Sequence, residues 1–359
     1  MQGRRIRLTV LFLLVLSAFA PLGYAAQPAK PGFDEKAVAD FYRGKTVRIV
    51  VGFSAGGGYD QYSRLIARHL AKYIPGNPAV IVENMAGAGS IIAANHVFNA
   101  SPKDATVIGN ISGPIILEQL FGNPAVQFDL AKYRYLAVPV SETYVMVVTR
   151  KPGVSKFDEV IGPKGKQVIF GAIPGSTVEH GAILMRDVLG ANLKVVSGYK
   201  GTADVRMAID AGEVEGFVNT WQSLKITSID KFRSGEWLVL AQLSEKPIKD
   251  LPTPNVPTIP MIAKNNEERQ ILKFGTSTPN EFGKVYVLPP GAPPDRAAAL
   301  EAAFAKAFAD KELLGDAGKG RLEIDPIIGD DIRKLVVEFL GMAPELRGKL
   351  QTALKGGKK

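Results

Sequence analysis

The 359-residue sequence contains no cysteine. That excludes disulfides, thiolate metal ligands and a cysteine nucleophile, and leaves the redox compartment open. Histidine is scarce: His69, His96 and His180 are the three present, each in a segment with helical spacing. They form no HxxxH or HxH pair, so the ligand spacing of a zinc site is missing. Paired carboxylates in a loop setting are also missing, and the serines of GFSAG and GAGSI are not read as nucleophiles. The expectation is a protein that binds without catalysing, with neither cofactor nor metal.

Long apolar runs are absent with one exception. MQGRRIR carries Arg4, Arg5 and Arg7, LTVLFLLVLSAFA follows, and PLGYAAQ places small residues around Ala25. A basic start, a short apolar stretch and a small-residue cut site make a secretory signal, residues 1–25, cleaved near Ala25. The stretch is short of the roughly 20 residues of a membrane span. The expected location is periplasmic. The formal charge of +9 includes the three arginines of that segment, which has no acids, leaving +6. Lys and Arg are spread thinly and form no stripe interleaved with aromatics, so nucleic acid is not an expected partner.

From Lys45 on, strand-like and helix-like segments alternate. KTVRIVVGF, AVIVE, TVIGN, YLAVPV and YVMVVT read as strands; YDQYSRLIARHLAKY and GSIIAANHVF read as helices. A second series runs through QVIFGA, TVEHGAILMRDVLG, LKVVSGY, TADVRMAIDAG, VEGFVN and WLVLAQ. Two such series imply an α/β protein of two lobes, each a mostly parallel sheet flanked by helices. Ser176 with Glu179 predicts a capping box at the TVEHGAILMRD helix. Residues 246–294 read as Pro-rich loop around a short helix, and the last third as helical.

Three glycine-rich stretches fall at strand-to-helix junctions: SAGGGYD (54–60), NMAGAGS (84–90) and AIPGSTVEH (172–180). The first has adjacent glycines, Gly56, Gly57 and Gly58, where a dinucleotide fingerprint needs G-x-G-x-x-G. The Gly-Lys-Ser/Thr of a Walker loop is missing. Glu83, at the end of the second strand, keeps a cofactor-binding exported enzyme open as an alternative. Physics favours another use. The first N–H groups of a helix lack intrahelical partners and lie at its positive end. Glycine lets an anion approach those donors without arginine. Ser54, Tyr59, Ser90, Ser176 and Thr177 add hydroxyls, and loops at strand ends in two facing lobes open toward one cleft. A small carboxylate is the ligand these features suggest.

GFSAGGGYD, VENMAGAGS, AIPGSTVEH, GYKG, NVPT and LPPGAPP occur in that order across residues 44–312. In that order and spacing the chain resembles the Bug-type periplasmic solute-binding receptors of tripartite tricarboxylate transporters. The resemblance implies a type II periplasmic binding protein of the Venus-flytrap kind. Residues 40–142 plus 246–359 would form lobe one and 143–245 lobe two, with the ligand cleft between them. It implies capture of a di- or tricarboxylate or an aromatic acid and delivery to membrane permease subunits by a monomer. A sensor role for the same fold is the alternative. Carried over by position, the ligand-binding set is Ser54, Ala55, Gly56, Gly57, Gly58, Tyr59 and Asp60 in the first loop, and Gly87, Ala88 and Gly89 in the second. It continues with Ser112 after TVIGN, with Gly175, Ser176, Thr177 and His180 in the second lobe, and with Asn219 and Trp221. Gly52 and Ser54 stand where the family pattern has proline, Ser90 where it has glycine, and Trp221 where it has an aliphatic residue.

Overall fold

The computed structural model describes residues 32–355. The expected export signal and its cleavage point lie outside the described residues.

Asp34 caps α1 (Glu35–Tyr42) by accepting from the Ala37 amide at 3.0 Å. β1 (Thr46–Val51) is rich in β-branched residues, and Val47, Ile49, Val50 and Val51 are all buried, as a strand covered on both faces requires. α2 (Gly58–Leu70) follows and buries Tyr62, Leu65, Ile66 and Leu70 along one stripe. β2 (Ala79–Asn84), α3 (Ile91–Asn95), β3 (Val107–Ser112), α4 (Ile115–Leu120) and β4 (Arg134–Val138) complete the first alternating series.

The chain then crosses to a second series: β5 (Tyr144–Thr149), β6 (Val168–Ala172), α5 (Thr177–Asp187), β7 (Leu193–Ser197), α6 (Thr202–Asp210) and β8 (Gly216–Thr220). α7 (Trp221–Thr227), α8 (Ile229–Arg233) and β9 (Trp237–Leu243) follow. α9 (Ile259–Ile262) and α10 (Asn266–Leu272) lead to β10 (Lys284–Leu288). The chain ends in α11 (Pro294–Phe308), α12 (Lys311–Lys319), the short β11 (Ile327–Ile328), α13 (Asp330–Leu340) and α14 (Pro344–Leu354).

The strands form two sheets, ordered β11-β4-β10-β3-β1-β2 and β7-β6-β8-β5-β9. Both are mixed, with four strands running the same way in each: β1, β2, β3 and β4 in the first, and β6, β7, β8 and β9 in the second. β1 pairs β2 and β3 in parallel, but β10 runs antiparallel between β3 and β4. β6 pairs β7 and β8 in parallel, while β5 runs antiparallel between β8 and β9. Three strands are reversed: the two-residue β11, at the edge beside β4, and β5 and β10. β5 brings the chain into the second sheet and β10 returns it to the first, each arriving from the opposite lobe and not through a local crossover helix. β10 also corrects the reading of 246–294 as loop: KVYVL is fully buried at the centre of the first sheet.

Residues after 246, expected with lobe one, lie first along β9. Val239 N–H donates to Thr253 Oγ1 at 3.2 Å, Gln242 N–H to the Pro257 carbonyl at 2.8 Å, and Ile259 N–H to the Ser244 carbonyl at 3.0 Å. Gly275 packs so closely on Leu184 of α5 that an added Cβ would lie 2.4 Å from its Cδ1.

Candidate functional site

Three helices of differing sequence begin at one place. Gly57 is the N-cap of α2, Ser176 of α5 and Gly201 of α6. Gly57, Gly58, Ser176 and Thr202 line a single narrow cavity of about 30 Å³ between the two sheets. Phe53, Tyr59, Tyr144, Ile173 and Val178 supply apolar walls, and Asn219, Thr220, Ser223 and Lys284 supply polar groups. The amide Nδ2 of Asn219 and the hydroxyl of Ser223 are buried with no hydrogen-bond partner among the described residues. Unpaired buried donors facing a cavity are costly unless a ligand or water meets them.

Asp60 builds the first loop from below. Its carboxylate accepts from the Gly56 amide at 2.9 Å, Arg64 Nε at 2.9 Å and Asn84 Nδ2 at 3.1 Å. Burial pushes its pKa up, but Arg64, the Gly56 amide and Asn84 outweigh that and hold the carboxyl below its ordinary range. Tyr59 reaches across to the Gly283 carbonyl at 2.9 Å and stacks on Phe53 at 4.5 Å. Ser112 is buried behind it, 3.5 Å from the Tyr59 hydroxyl.

The lobes touch on both flanks of the cavity. On one side Ser54 Oγ donates to Asp204 at 3.1 Å and Arg206 to the Gly56 carbonyl at 3.0 Å. On the other, Gly89 meets the Pro174–Gly175 backbone, and His180 Nε2 lies 3.1 Å from Glu118 Oε1. Burial raises the Glu118 pKa, yet His180, Asn123 and Lys355 together outweigh it and leave the carboxyl below its usual range. At the cavity's edge Lys284 donates to Glu142, and its ammonium lies 5.0 Å from the Tyr59 ring centroid and 5.1 Å from that of Tyr62. Burial pushes the Lys284 pKa down, against the pull of Glu142.

Of the residues expected to bind ligand, Gly57, Gly58, Tyr59, Ser176 and Asn219 line the cavity. Ser54, Ala55 and Gly56 stand at the seam or the surface, and Asp60 and Ser112 support the loop. Thr177 turns to Asn280 Oδ1 at 3.5 Å. Ala88, Gly175 and His180 line a separate opening with Glu118 and Glu179, and the sharply turned Gly87 precedes them. Trp221 is not at the cavity: it is 1% exposed, stacks edge-on to Phe232 at 5.4 Å and donates to Asp250 at 2.8 Å. A large ring immediately after a strand finds its apolar partners in the core beneath α7. Glu179 departs from the expected capping box by accepting from the Gly175 amide at 2.8 Å, one residue before the cap.

Sequence reasoning missed Tyr144, Thr202, Thr220, Ser223 and Lys284. Thr202 directly follows GYKG, and Lys284 is the one charge opening an otherwise apolar strand, so both carried a local signal. GFSAG, residues 52–56, does carry the letters of a nucleophile elbow. Geometry excludes the role: Ser54 is outside the left-handed region that an elbow requires, and Asp204 is its side-chain partner.

A family model described as the tripartite tricarboxylate transporter family receptor matches residues 63–323. The chain belongs to that family. Among curated relatives, this receptor is 26% identical over 301 residues to the UPF0065 protein in the gbd 5'region of Cupriavidus necator, covering 82% of each chain. It is 25% identical over 239 residues to protein BugT of Bordetella pertussis, covering 64% of this receptor and 70% of BugT. The fold is that of type II periplasmic binding proteins. It superposes on the periplasmic binding protein BugD with a TM-score of 0.66 at 19% identity, covering 87% of this chain and 98% of that one. MatC from Rhodopseudomonas palustris with bound malate gives 0.63 at 16%, covering 86% and 99%. A Rhodopseudomonas palustris protein with adipate gives 0.64 at 19%, covering 87% and 97%. Family and fold are those of solute-binding receptors, and no described helix is long and apolar enough to cross a membrane.

Proposed function

We propose that this receptor captures a small carboxylate in the cavity between its lobes and delivers it to the permease subunits of a tripartite transporter. The observation that carries the reading is the convergence of the α2, α5 and α6 N-termini, through Gly57, Gly58, Ser176 and Thr202, on one cavity. Each contributes amides without intrahelical acceptors and the positive end of a dipole. Together they neutralise an anion without a flexible cation, as helix N-termini do for phosphates. The cavity as it stands holds about one water, and once the lobes part its apolar walls suit a short aliphatic or aromatic body. Malate and adipate in the related folds support a carboxylate of that size.

In this reading the chain is exported, cleaved near Ala25 and monomeric, and it does no chemistry on its ligand. Lobe two takes residues 143–245 together with the stretch packed along β9, and the rest of 40–359 forms lobe one. A melting screen against mono-, di- and tricarboxylates and aromatic acids tests it. A ligand that binds only the native state adds about 2.7 kcal/mol at a hundredfold excess over its Kd. A folded protein that stays silent across the whole library overturns the proposal. Capture of the ligand-loaded protein by the permease subunits, and not by a signalling receptor, separates delivery from sensing.

A further inference from the structure

Lys284 and Glu142 form an ion pair with both side chains almost wholly enclosed, at 1% and 0% exposure. Their positions in the chain are unusual. Glu142 lies in the crossing from β4 to β5, and Lys284 opens β10 as the chain returns to the first sheet. The pair therefore ties together two strands of chain that run between the lobes. Lys284 also lines the cavity, with its Cε 3.4 Å from where a Cβ on Gly58 would sit.

As a fixture for stability the pair is poorly made. Desolvating two charges costs more than their attraction returns unless further hydrogen bonds satisfy them, and apolar residues of similar size serve as well or better. Glu142 Oε2 has no hydrogen-bond partner among the described residues. The Lys284 ammonium has three donors, and Glu142 is its acceptor among the described residues. Its nearest other neighbours of note are the faces of Tyr59 and Tyr62, which attract a cation but accept no strong hydrogen bond. A cation with spare donors at the wall of an anion cavity is equipped for a second acceptor.

We propose that Lys284 is a ligand-binding residue: a carboxylate of the bound acid takes its spare donors and competes with Glu142 for its charge. This deepens the carboxylate-receptor reading and rests on it. The helix amides then supply general affinity for anions, while Lys284 selects ligands whose carboxylate reaches the start of β10. Because Glu142 belongs to an interlobe crossing, its partial release on binding couples occupancy of the cavity to the hinge.

The two roles predict opposite responses. If Glu142 competes with the ligand, Glu142→Gln leaves Lys284 with an unmatched charge and tightens acid binding several-fold. The double variant Lys284→Met/Glu142→Gln removes the cation without stranding a carboxylate. It should weaken acid binding roughly ten- to hundredfold, the range of a charge-assisted hydrogen bond. The probes are malate, adipate and benzoate, with adipamide and benzamide as uncharged counterparts, measured by calorimetry on the full mature chain. The double variant should also lose the wild type's preference for acid over amide. Equal acid affinity in the wild type and both variants, or an equal loss in both, makes the pair structural and overturns the inference alone. Wild-type silence toward every acid of the carboxylate library overturns this inference and the carboxylate reading together. Should the double variant not fold, lysine-selective NMR of the wild type decides, with the Lys284 resonance assigned through Lys284→Arg. A shift of that resonance with an acid but not with its amide supports the proposal, and no shift with either overturns it.

Discussion

The loops SAGGGYD and NMAGAGS look alike as sequence and do different work. In the first, Gly57 has an ordinary extended backbone, φ −85° and ψ 175°, and its neighbour Gly58 opens α2 on the cavity. Its glycines matter for what they leave uncovered. In the second, Gly87, Ala88, Gly89 and Ser90 all have positive φ, at 142°, 46°, 59° and 87°. There the chain is folded tightly enough for its backbone to meet the opposite lobe: a Cβ on Gly89 would lie 2.5 Å from the Pro174 carbonyl oxygen. In the first loop glycine leaves the α2 amides uncovered and brings them close to side chains of the second lobe, Thr202 and Ser223, whereas in the second it meets that lobe's backbone. A glycine-rich junction is therefore evidence for a close approach, here to side chains at one loop and to backbone at the other.

The largest expected effect separates the loops directly. Gly58→Val should reduce carboxylate affinity roughly a hundredfold or more by covering the helix amides and overpacking the cavity. Its Cβ alone would lie 2.8 Å from Ser223 Oγ and 3.0 Å from Ser223 Cβ. Calorimetry checks this, and near-native affinity would remove the first loop from the site. Gly57→Val should act the same way more mildly, since its Cβ would lie 3.2 Å from Thr202 Oγ1.

Next in size is Gly89→Ala. It meets backbone atoms that cannot step aside and places a side chain at φ 59°, so it should lower stability by about 1–3 kcal/mol. Affinity should fall as well, through poorer closure. X-ray scattering with and without ligand should show a smaller compaction than the wild type gives.

Asp60→Asn tests the support beneath the first loop. The folded carboxyl is held below its ordinary range, so its stabilisation is fully present above about pH 4 and is lost as pH falls through the folded value. At neutral pH the variant should be about 1.5–3 kcal/mol less stable, the worth of hydrogen bonds to a charged group. The gap to the wild type should close in acid melts below pH 4, whereas a constant gap would mean that the carboxylate charge contributes nothing. The smallest effect on binding is expected from Trp221→Phe. It should cost about 1–2 kcal/mol of stability through lost packing and the lost bond to Asp250. Its acid affinity should stay within twofold.

Local signals carried most of the fold into view. The strand and helix segments of both series appear where apolar periodicity puts them, and Tyr62, Leu65, Ile66 and Leu70 of YDQYSRLIARHLAKY form the buried stripe of α2. β10 was hidden because KVYVL is short, sits between proline-rich stretches, and owes its place to a return from the other lobe. Nothing within five residues encodes that. Lys284 was hidden with it. The first loop was legible because its chemistry is local, but the cavity is closed by α6 and α7, whose approach is set by tertiary packing. Two sequence departures explain each other once the contact is seen. A Cβ on Gly52 would lie 1.9 Å from Ser90 Oγ, so the missing side chain at one position makes room for the added one at the other. The Ser90 hydroxyl then accepts from the Ser112 amide at 3.2 Å, binding the second loop to β3.

The last helix, α14, has a foot on each lobe. Gln351 donates to the Phe121 carbonyl at the end of α4 at 3.1 Å, while Leu350 is buried near Gly275 and α14 packs on α5. In the proposed receptor, a brace of this kind would limit the angles at which the two lobes can part, so that fewer orientations are lost when they close on a ligand. Loosening α14 should widen the swing of the lobes and weaken every ligand by the same factor, whatever its chemistry.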